Sequence, residues 1–216
     1  MSKSKIIEYD EHKFKSPLEL YFYFYVKELE EYGFLTNISY ETSTFELTKP
    51  YSRDYLQQGK KKLMTKSEHI FQKSSITSDF TFDFLPKAEG IFYIGNNPIN
   101  CLAKEIPFRL ADEDGIDLQC LVEVKSIQMR SSTSSNVSWP YKAKFCLREH
   151  NKLIYKIQPY SPQGRNCLFE KTFTPKNVLK LEVYKKNCKF GGKGDSKIKY
   201  QTRTLGEFLN LKNIKL

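Results

Sequence analysis

The chain has 216 residues, of which 39% are hydrophobic and 14% aromatic, which is enough apolar material for one domain with a buried core. No stretch approaches the roughly 20 apolar residues of a membrane span, and the first residues are too polar for a signal peptide, so we expect a soluble, cytoplasmic protein with no membrane partner. The net charge of +10 favours a polyanionic partner, most often nucleic acid.

The cysteines are five in number, widely spaced, and never arranged as C-x-x-C. This pattern argues against a disulfide framework and against a zinc site. We predict reduced thiols with structural roles. They are Cys101, Cys120, Cys146, Cys167 and Cys188.

The first predicted helix begins at Ser16-Pro17-Leu18-Glu19. Ser16 can cap the helix, Pro17 suits its first position, and Glu19 can complete a capping box. The helix is expected to run to about Tyr32, where Gly33 can end it. Residues 38–48 then indicate one or two strands.

Residues 49–75 are polar and basic, and they predict a loop or the tip of a hairpin. The lysines at its centre, Lys60, Lys61 and Lys62, are candidates for contacts with DNA phosphates. Residues 78–84 (SDFTFDF) follow with strict alternation, which predicts a strand with Phe80, Phe82 and Phe84 on one face. Residues 86–118 favour a hairpin plus a surface insertion.

The segment LVEVKS, residues 121–126, predicts a mostly buried strand. Glu123 and Lys125 share one face of it, while Val122 and Val124 share the other. Because buried charges are costly unless paired or bound to an ion, this face needs an explanation. A Glu–Lys pair at a strand end is the simpler one; half of a metal-dependent phosphodiesterase site is the other.

The last third of the chain begins with a serine-rich stretch, Ser131–Ser138, which we expect to be mobile. Pro140 is predicted to open a short helix, so that Lys142 and Lys144 fall in its first turn and can contact DNA phosphates. The remaining predicted elements are a strand at 153–158, a short helix or turn after Thr174-Pro175, a Gly/Lys loop at 189–198, and a capped helix at about 205–212.

This order of elements predicts an α/β fold with a central mixed β-sheet flanked by helices and carrying a surface insertion. We find no internal repeat and no convincing linker. A single domain, residues 1–216, is therefore expected, with its core at about 12–160 and a C-terminal extension at 161–216.

Asp79 and the Glu123/Lys125 pair together resemble the motifs of the PD-(D/E)XK nuclease superfamily. The layout is similar to phage and transposon endonucleases of the Holliday-junction-resolvase and TnsA-like type, although Ser78 stands where the family usually has proline. The resemblance implies a restriction-endonuclease-like core over roughly residues 12–160. It also implies metal-dependent hydrolysis of DNA phosphodiesters, with branched DNA or the DNA of phages and mobile elements as the expected substrates.

Carried over residue by residue, the resemblance makes Asp79 and Glu123 ligands of Mg²⁺ or Mn²⁺, with the Val124 carbonyl as a further ligand. Lys125 becomes the catalytic lysine. Glu19 matches the helix glutamate that completes some of these sites, although its capping role explains it equally well.

Two other classes of function stay open. One is a catalytically inactive nuclease fold that serves in DNA binding or virion assembly. The other is the nuclease subunit of a recombination or transposition complex, and a homodimer would suit cleavage of a junction. If the chain is phage-encoded, the compartment is the host cell cytoplasm.

Overall fold

A computed structural model of the chain describes residues 6–60, 62–94, 108–109, 119–125, 134–161, 167–181 and 200–214. Within these ranges the helices are α1 (Pro17–Glu31), α2 (Ser134–His150), α3 (Leu168–Lys171), α4 (Lys176–Leu179) and α5 (Leu205–Leu211), with a 3₁₀ turn at Pro86–Ala88. The strands are β1 (Ile7–Tyr9), β2 (His12–Phe14), β3 (Leu35–Tyr40), β4 (Thr44–Thr48), β5 (Tyr51–Gln58), β6 (Leu63–Phe71), β7 (Ser74–Thr77), β8 (Phe80–Phe84), β9 (Tyr93–Ile94), β10 (Phe108–Arg109), β11 (Gln119–Val124) and β12 (Ile154–Ile157).

A four-stranded sheet lies at the centre, in the order β12-β11-β8-β3. Strand β12 runs parallel to β11, whereas β11 and β3 both run antiparallel to β8. The predicted mixed sheet in an α/β fold is thus confirmed at this coarse level.

Helix α1 forms where its end signals predict it. The Ser16 hydroxyl accepts a hydrogen bond from the Glu19 N–H, and Pro17 occupies the first turn. At the other end Gly33 has φ +66°, the left-handed conformation that glycine adopts without steric cost.

The face of the sheet toward α1 is built from aromatic side chains. Phe80, Phe82 and Phe84 are each at most 1% exposed, as their alternation predicts. Phe22 of α1 packs edge-on against Phe80 with ring centroids 5.0 Å apart. The same core includes Phe173 from the predicted C-terminal extension, so those residues contribute to its packing.

The opposite face of the sheet is also covered. Leu121 and Ile154 are buried there with Cys146 of α2 and with Leu47 and Ile76 of the β4–β7 pair. Apolar residues on both faces explain why β11 is an almost continuous hydrophobic run. The charged side chain of Glu123 lies on the α2 side of this strand, since it alternates with Val122 and Val124 of the other core.

Residues 49–75 form a hairpin, as one of the two predicted alternatives has it, and its paired strands take up most of this segment. Strands β5 and β6 pair antiparallel over their whole length, and every residue in both is exposed. The hairpin continues outward from the β4–β7 pair, which joins it to the sheet region.

Helix α2 corrects two predictions. It begins at Ser134 rather than at Pro140, so Ser134–Ser138 are helical and not a mobile stretch, and Lys142 and Lys144 lie inside the helix rather than in its first turn. A proline inside a helix removes one backbone hydrogen bond. Burial of Ala143 and Cys146 in the turns that follow supplies packing that offsets this loss.

Parts of the predicted insertion at 86–118 belong to the interior. Phe92 and Phe108 are at most 1% exposed, and β9 pairs with β10 in parallel, so these described residues form neither a hairpin nor surface decoration. The Gly/Lys loop at 189–198 lies outside the described residues. Among the helices that are described, none has the length and apolar character needed to cross a membrane.

Candidate active site

Asp79 immediately precedes β8, and Glu123 lies on the neighbouring strand β11. Val122 of β11 is paired with Phe80 of β8 in an antiparallel register, so the next positions along are Glu123 and Asp79. Opposite residues of an antiparallel pair share a face, with Cβ atoms about 4.5–5.5 Å apart. Continued by one residue, this register places the two acids side by side at the end of β8.

Backbone groups on both sides hold Asp79 in place. Its Oδ2 accepts a hydrogen bond from the Val124 N–H at 2.7 Å, and its carbonyl oxygen accepts one from the Glu41 N–H at 2.9 Å. Glu41 has φ +53°, an unusual conformation for a residue with a side chain. Asp79 is thus fixed between the β11 strand and the turn that follows β3.

The pKa of Asp79 is raised by its surroundings. Burial and the neighbouring Glu123 carboxylate raise the pKa of Asp79 to about 7, against the smaller lowering effects of the Val124 N–H and Lys125. Glu19 also contributes to raising this pKa. A buried carboxylate whose ionisation is opposed by a neighbouring acid forms a site that a cation would stabilise.

Lys125 lies beside Glu123, where its ammonium group forms an ion pair with Glu123 Oε1. The two side chains are 24% and 11% exposed, so the pair is shielded from most solvent. The Lys125 N–H donates to the Ile157 carbonyl at 2.9 Å, which anchors the residue to β12. The Glu–Lys pair that the sequence offered as the simpler explanation is therefore present. A structural pair does not account for the additional acid beside it, Asp79.

Glu19 is buried at the start of α1 and is surrounded by donors. Its Oε2 accepts hydrogen bonds from the Lys15 N–H at 2.8 Å and the Tyr40 hydroxyl at 2.7 Å, and its Oε1 accepts one from the Ser16 hydroxyl at 2.9 Å. These contacts favour its interpretation as part of the helix cap. A catalytic role for Glu19 stays a prediction.

Three further residues near the site were not singled out from the sequence: Lys15, Tyr40 and Glu41. Burial and the Glu19 contact raise the pKa of the Tyr40 hydroxyl, and Asp79 adds to this effect. The Lys15 ammonium pairs with Glu41, and this hydrogen bond, aided by the charges of Glu19 and Asp79, raises the pKa of Lys15. No local motif marks these residues, because only folding brings them to Asp79.

The donor set suits a hard divalent cation held by few protein ligands. Asp79 and Glu123 supply carboxylate oxygens, and one hydrogen bond at Asp79 leaves acceptor capacity in its carboxylate. The part of the chain that the structure describes contains no group of three or more His, Cys, Asp or Glu side chains placed to hold a metal. Two carboxylates are sufficient for Mg²⁺, which usually keeps several of its waters. The Val124 carbonyl as a third ligand stays a prediction.

The lysines predicted to contact DNA lie in two places. Lys60 and Lys62 are exposed at the end of the β5–β6 hairpin, whereas Lys61 lies outside the described residues. On α2, Lys144 is exposed, but the Lys142 ammonium donates a hydrogen bond to the Ser75 carbonyl at 3.0 Å. Lys142 thus has a structural contact that joins α2 to β7.

The three buried cysteines within the described ranges, Cys120, Cys146 and Cys167, are free thiols. Burial raises the pKa of Cys146 and of Cys167, so both are poor nucleophiles at neutral pH. The candidate site is therefore the one built by Asp79, Glu123 and Lys125. Comparison of the chain with family models, curated proteins and solved structures returns no match.

Proposed function

We propose that the chain is a Mg²⁺-dependent endonuclease that hydrolyses DNA phosphodiester bonds, on a core of the restriction-endonuclease-like type. One observation supports this most: Asp79, directly before β8, lies close enough to Glu123 of β11 for the Glu123 charge to raise its pKa, and Lys125 is paired to Glu123. Burial and the Glu123 charge together raise the pKa of Asp79 to about 7, and perturbed acids of this kind are concentrated at functional sites.

In this proposal Asp79 and Glu123 hold the ion, with the Val124 carbonyl as the additional ligand. A bound Mg²⁺ supplies Lewis-acid polarisation of the phosphoryl group and lowers the pKa of the attacking water. The Val124 N–H fixes the orientation of the Asp79 carboxylate, so its free oxygen keeps one direction.

Lys125 is proposed as the catalytic lysine. In the unbound protein the Lys125 ammonium group pairs with Glu123, so it lies beside the two acids. When water oxygen attacks phosphorus and the bond to the leaving oxygen breaks, negative charge grows on the phosphoryl oxygens. An ammonium group at this position stabilises that charge.

Burying charged groups costs free energy, and this cost argues against a purely structural role for the Glu123–Lys125 pair. A buried Glu–Lys pair is seldom more stabilising than apolar side chains of similar volume. A third charge, the carboxylate of Asp79, makes the arrangement less favourable still in the absence of a cation. Such a destabilising cluster has a physical reason if it serves chemistry.

The test is incubation of the purified protein with labelled linear, nicked and four-way DNA in Mg²⁺, Mn²⁺ or EDTA. We expect cleavage in either metal and none in EDTA, and no cleavage by Glu123→Gln. Glu30→Gln, at the C-terminal end of α1 where Glu30 is paired with Lys27, is the matched control and is expected to cut as the wild type does. Absence of cleavage on every substrate would favour the alternative of an inactive DNA-binding module or of a subunit that needs its partner.

A further inference from the structure

The β5–β6 hairpin is exposed on both of its faces. Its strands are eight and nine residues long, all of them exposed. At about 3.3 Å per residue it extends about 26 Å from its base. Both outer edges of this two-stranded sheet lack a neighbouring strand in the described structure.

Positive charge is concentrated in this hairpin. Residues 49–73 contain seven lysine and arginine side chains against two acidic ones, so they carry a net +5 of the chain's +10. A second concentration of lysine, also with a net charge of +5, lies at residues 185–199, outside the described residues. Such a concentration in a projecting element is the electrostatic footprint of a polyanion-binding surface.

The pairing register places the cations on one side of the hairpin. Arg53 faces Glu68, Tyr55 faces Lys66, and the Gly59 N–H bonds to the Lys62 carbonyl. Because these positions alternate with the others, Arg53, Lys62 and Lys66 share a face with Tyr55, Gln57, Met64 and Glu68. Glu68 is the one acid among these residues, and it forms an ion pair with Arg53 at 3.2 Å. We call it the basic face.

The opposite face differs in chemistry. It carries the pairs Ser52–His69, Asp54–Ser67, Leu56–Thr65 and Gln58–Leu63. Among these described residues there is one acid and no lysine or arginine. The hairpin is therefore polarised across its thickness, which a general excess of surface lysine does not produce.

We infer that the basic face of the β5–β6 hairpin enters the major groove of duplex DNA; this inference rests on the proposed function. The major groove of B-form DNA is wide enough to admit a two-stranded β-ribbon. Arg53, Lys62 and Lys66 contact phosphates along the groove walls, and Gln57 faces the base edges. The groove of A-form RNA is too narrow and deep for such an element.

The hairpin is close enough to the candidate site along the chain for both to contact the same DNA duplex. Strand β7 begins at Ser74, at the base of the hairpin, and Asp79 lies five positions further along the chain. This stretch spans at most about 17 Å, less than the 34–36 Å of one helical turn of DNA. The hairpin thus holds the duplex within one turn of the acidic pair.

The test is the affinity of the protein for a 30-base-pair DNA duplex, measured by fluorescence anisotropy in EDTA across a salt series. The variant is the triple substitution Arg53→Gln, Lys62→Gln and Lys66→Gln. The control is Lys27→Gln, Lys171→Gln and Lys180→Gln, which removes the same net charge from α1, α3 and the end of α4.

We expect the hairpin variant to bind about 10–100-fold more weakly at 0.1 M salt, with the slope of log affinity against log salt reduced by about 2–3. The control variant is expected to change affinity less than threefold. An RNA duplex of the same sequence is expected to bind the wild type and the hairpin variant with equal affinity.

Equal losses in the two variants, or no loss in either, would overturn the inference. So would an RNA duplex that binds with the same dependence on the hairpin, or a hairpin variant whose only defect is a change of oligomeric state in gel filtration. Because EDTA prevents metal-dependent cleavage, failure of the proposed activity would leave this result standing. Conversely, a hairpin variant with unaltered binding would leave a cleavage activity intact.

Discussion

At the scale of single residues, the account depends on the charge balance among Asp79, Glu123 and Lys125. Asp79 is held by the Val124 N–H, and Glu123 by its pair with Lys125. Sequence patterns identified all three residues, because each lies in or directly beside a strand that the sequence predicts. The contacts of Tyr40 and Lys15 with Glu19 could not be predicted, since no local pattern specifies which side chains meet across the fold.

Lys125→Ala tests the catalytic lysine. We expect the cleavage rate at saturating DNA to fall by about 10²–10³-fold, with DNA affinity nearly unchanged, because the lost contact acts on charge that develops in the transition state. Single-turnover rates and melting temperatures are measured on the same preparations.

The control for that variant is Lys27→Ala, which removes a lysine that is also ion-paired, to Glu30 at 2.6 Å. It is expected to cut at the wild-type rate. If Lys125→Ala lowers the melting temperature but retains the wild-type rate in its folded fraction, the pair is structural and Lys125 has no catalytic role.

The raised pKa of Asp79 predicts a dependence of stability on pH in metal-free protein. The folded state binds the proton more tightly than the unfolded state, whose Asp pKa is near 3.8. The free energy of unfolding contributed by this group therefore falls as pH rises from about 4 to about 7. A shift of this size corresponds to at most about 4 kcal/mol.

Asp79→Asn removes this titration, so its stability relative to the wild type is expected to increase between pH 4 and pH 7. Urea unfolding in EDTA at several pH values measures the difference. A constant difference across this interval would show that Asp79 ionises in the folded protein as it does in the unfolded chain.

At the scale of elements, the capping residues of α1 predicted the bounds of that helix better than the internal proline predicted those of α2. Helix α1 has the start and end predicted by Ser16, Pro17 and Gly33, because caps act within a few residues. Helix α2 was predicted to begin at Pro140, yet tertiary packing of Cys146 carries the helix through that proline. A proline is a local cost that burial elsewhere in the helix can outweigh, and a sequence window does not contain that burial.

Ser16→Ala tests the cap of α1 and its link to the site. The Ser16 hydroxyl accepts from the Glu19 N–H and donates to the Glu19 carboxylate, so we expect a loss of about 0.5–2 kcal/mol in the free energy of unfolding. Thr204→Ala, at the capping box of α5, is the matched control for loss of a cap far from Asp79 along the chain.

If Glu19 acts only as a cap, Ser16→Ala and Thr204→Ala lower stability alike and leave the cleavage rate of folded protein unchanged. A selective loss of cleavage in Ser16→Ala would assign Glu19 a part in positioning the acidic site. Urea unfolding and cleavage assays on both variants separate these results.

At the scale of the whole molecule, the decisive feature is a register between distant segments. Asp79 and Glu123 are 44 positions apart in the sequence, and the antiparallel pairing of β8 with β11, which pairs Phe80 with Val122, brings them to the same end of β8. A shift of one residue would place their side chains on different faces. Strand patterns predicted that both strands exist, whereas the register depends on packing against both faces of the sheet and had to come from the structure.

The central claim is that Asp79 and Glu123 together hold a divalent cation, and the shift of melting temperature on adding Mg²⁺ tests it most directly. A ligand that binds only the folded state at 100 times its dissociation constant stabilises by about 2.7 kcal/mol. For a chain of this length that is a rise of about 5–10 °C. We predict this rise for the wild type and for Glu30→Gln, and its loss in Asp79→Asn and in Glu123→Gln. An equal Mg²⁺-dependent rise in all four proteins, or none in the wild type, would contradict the claim.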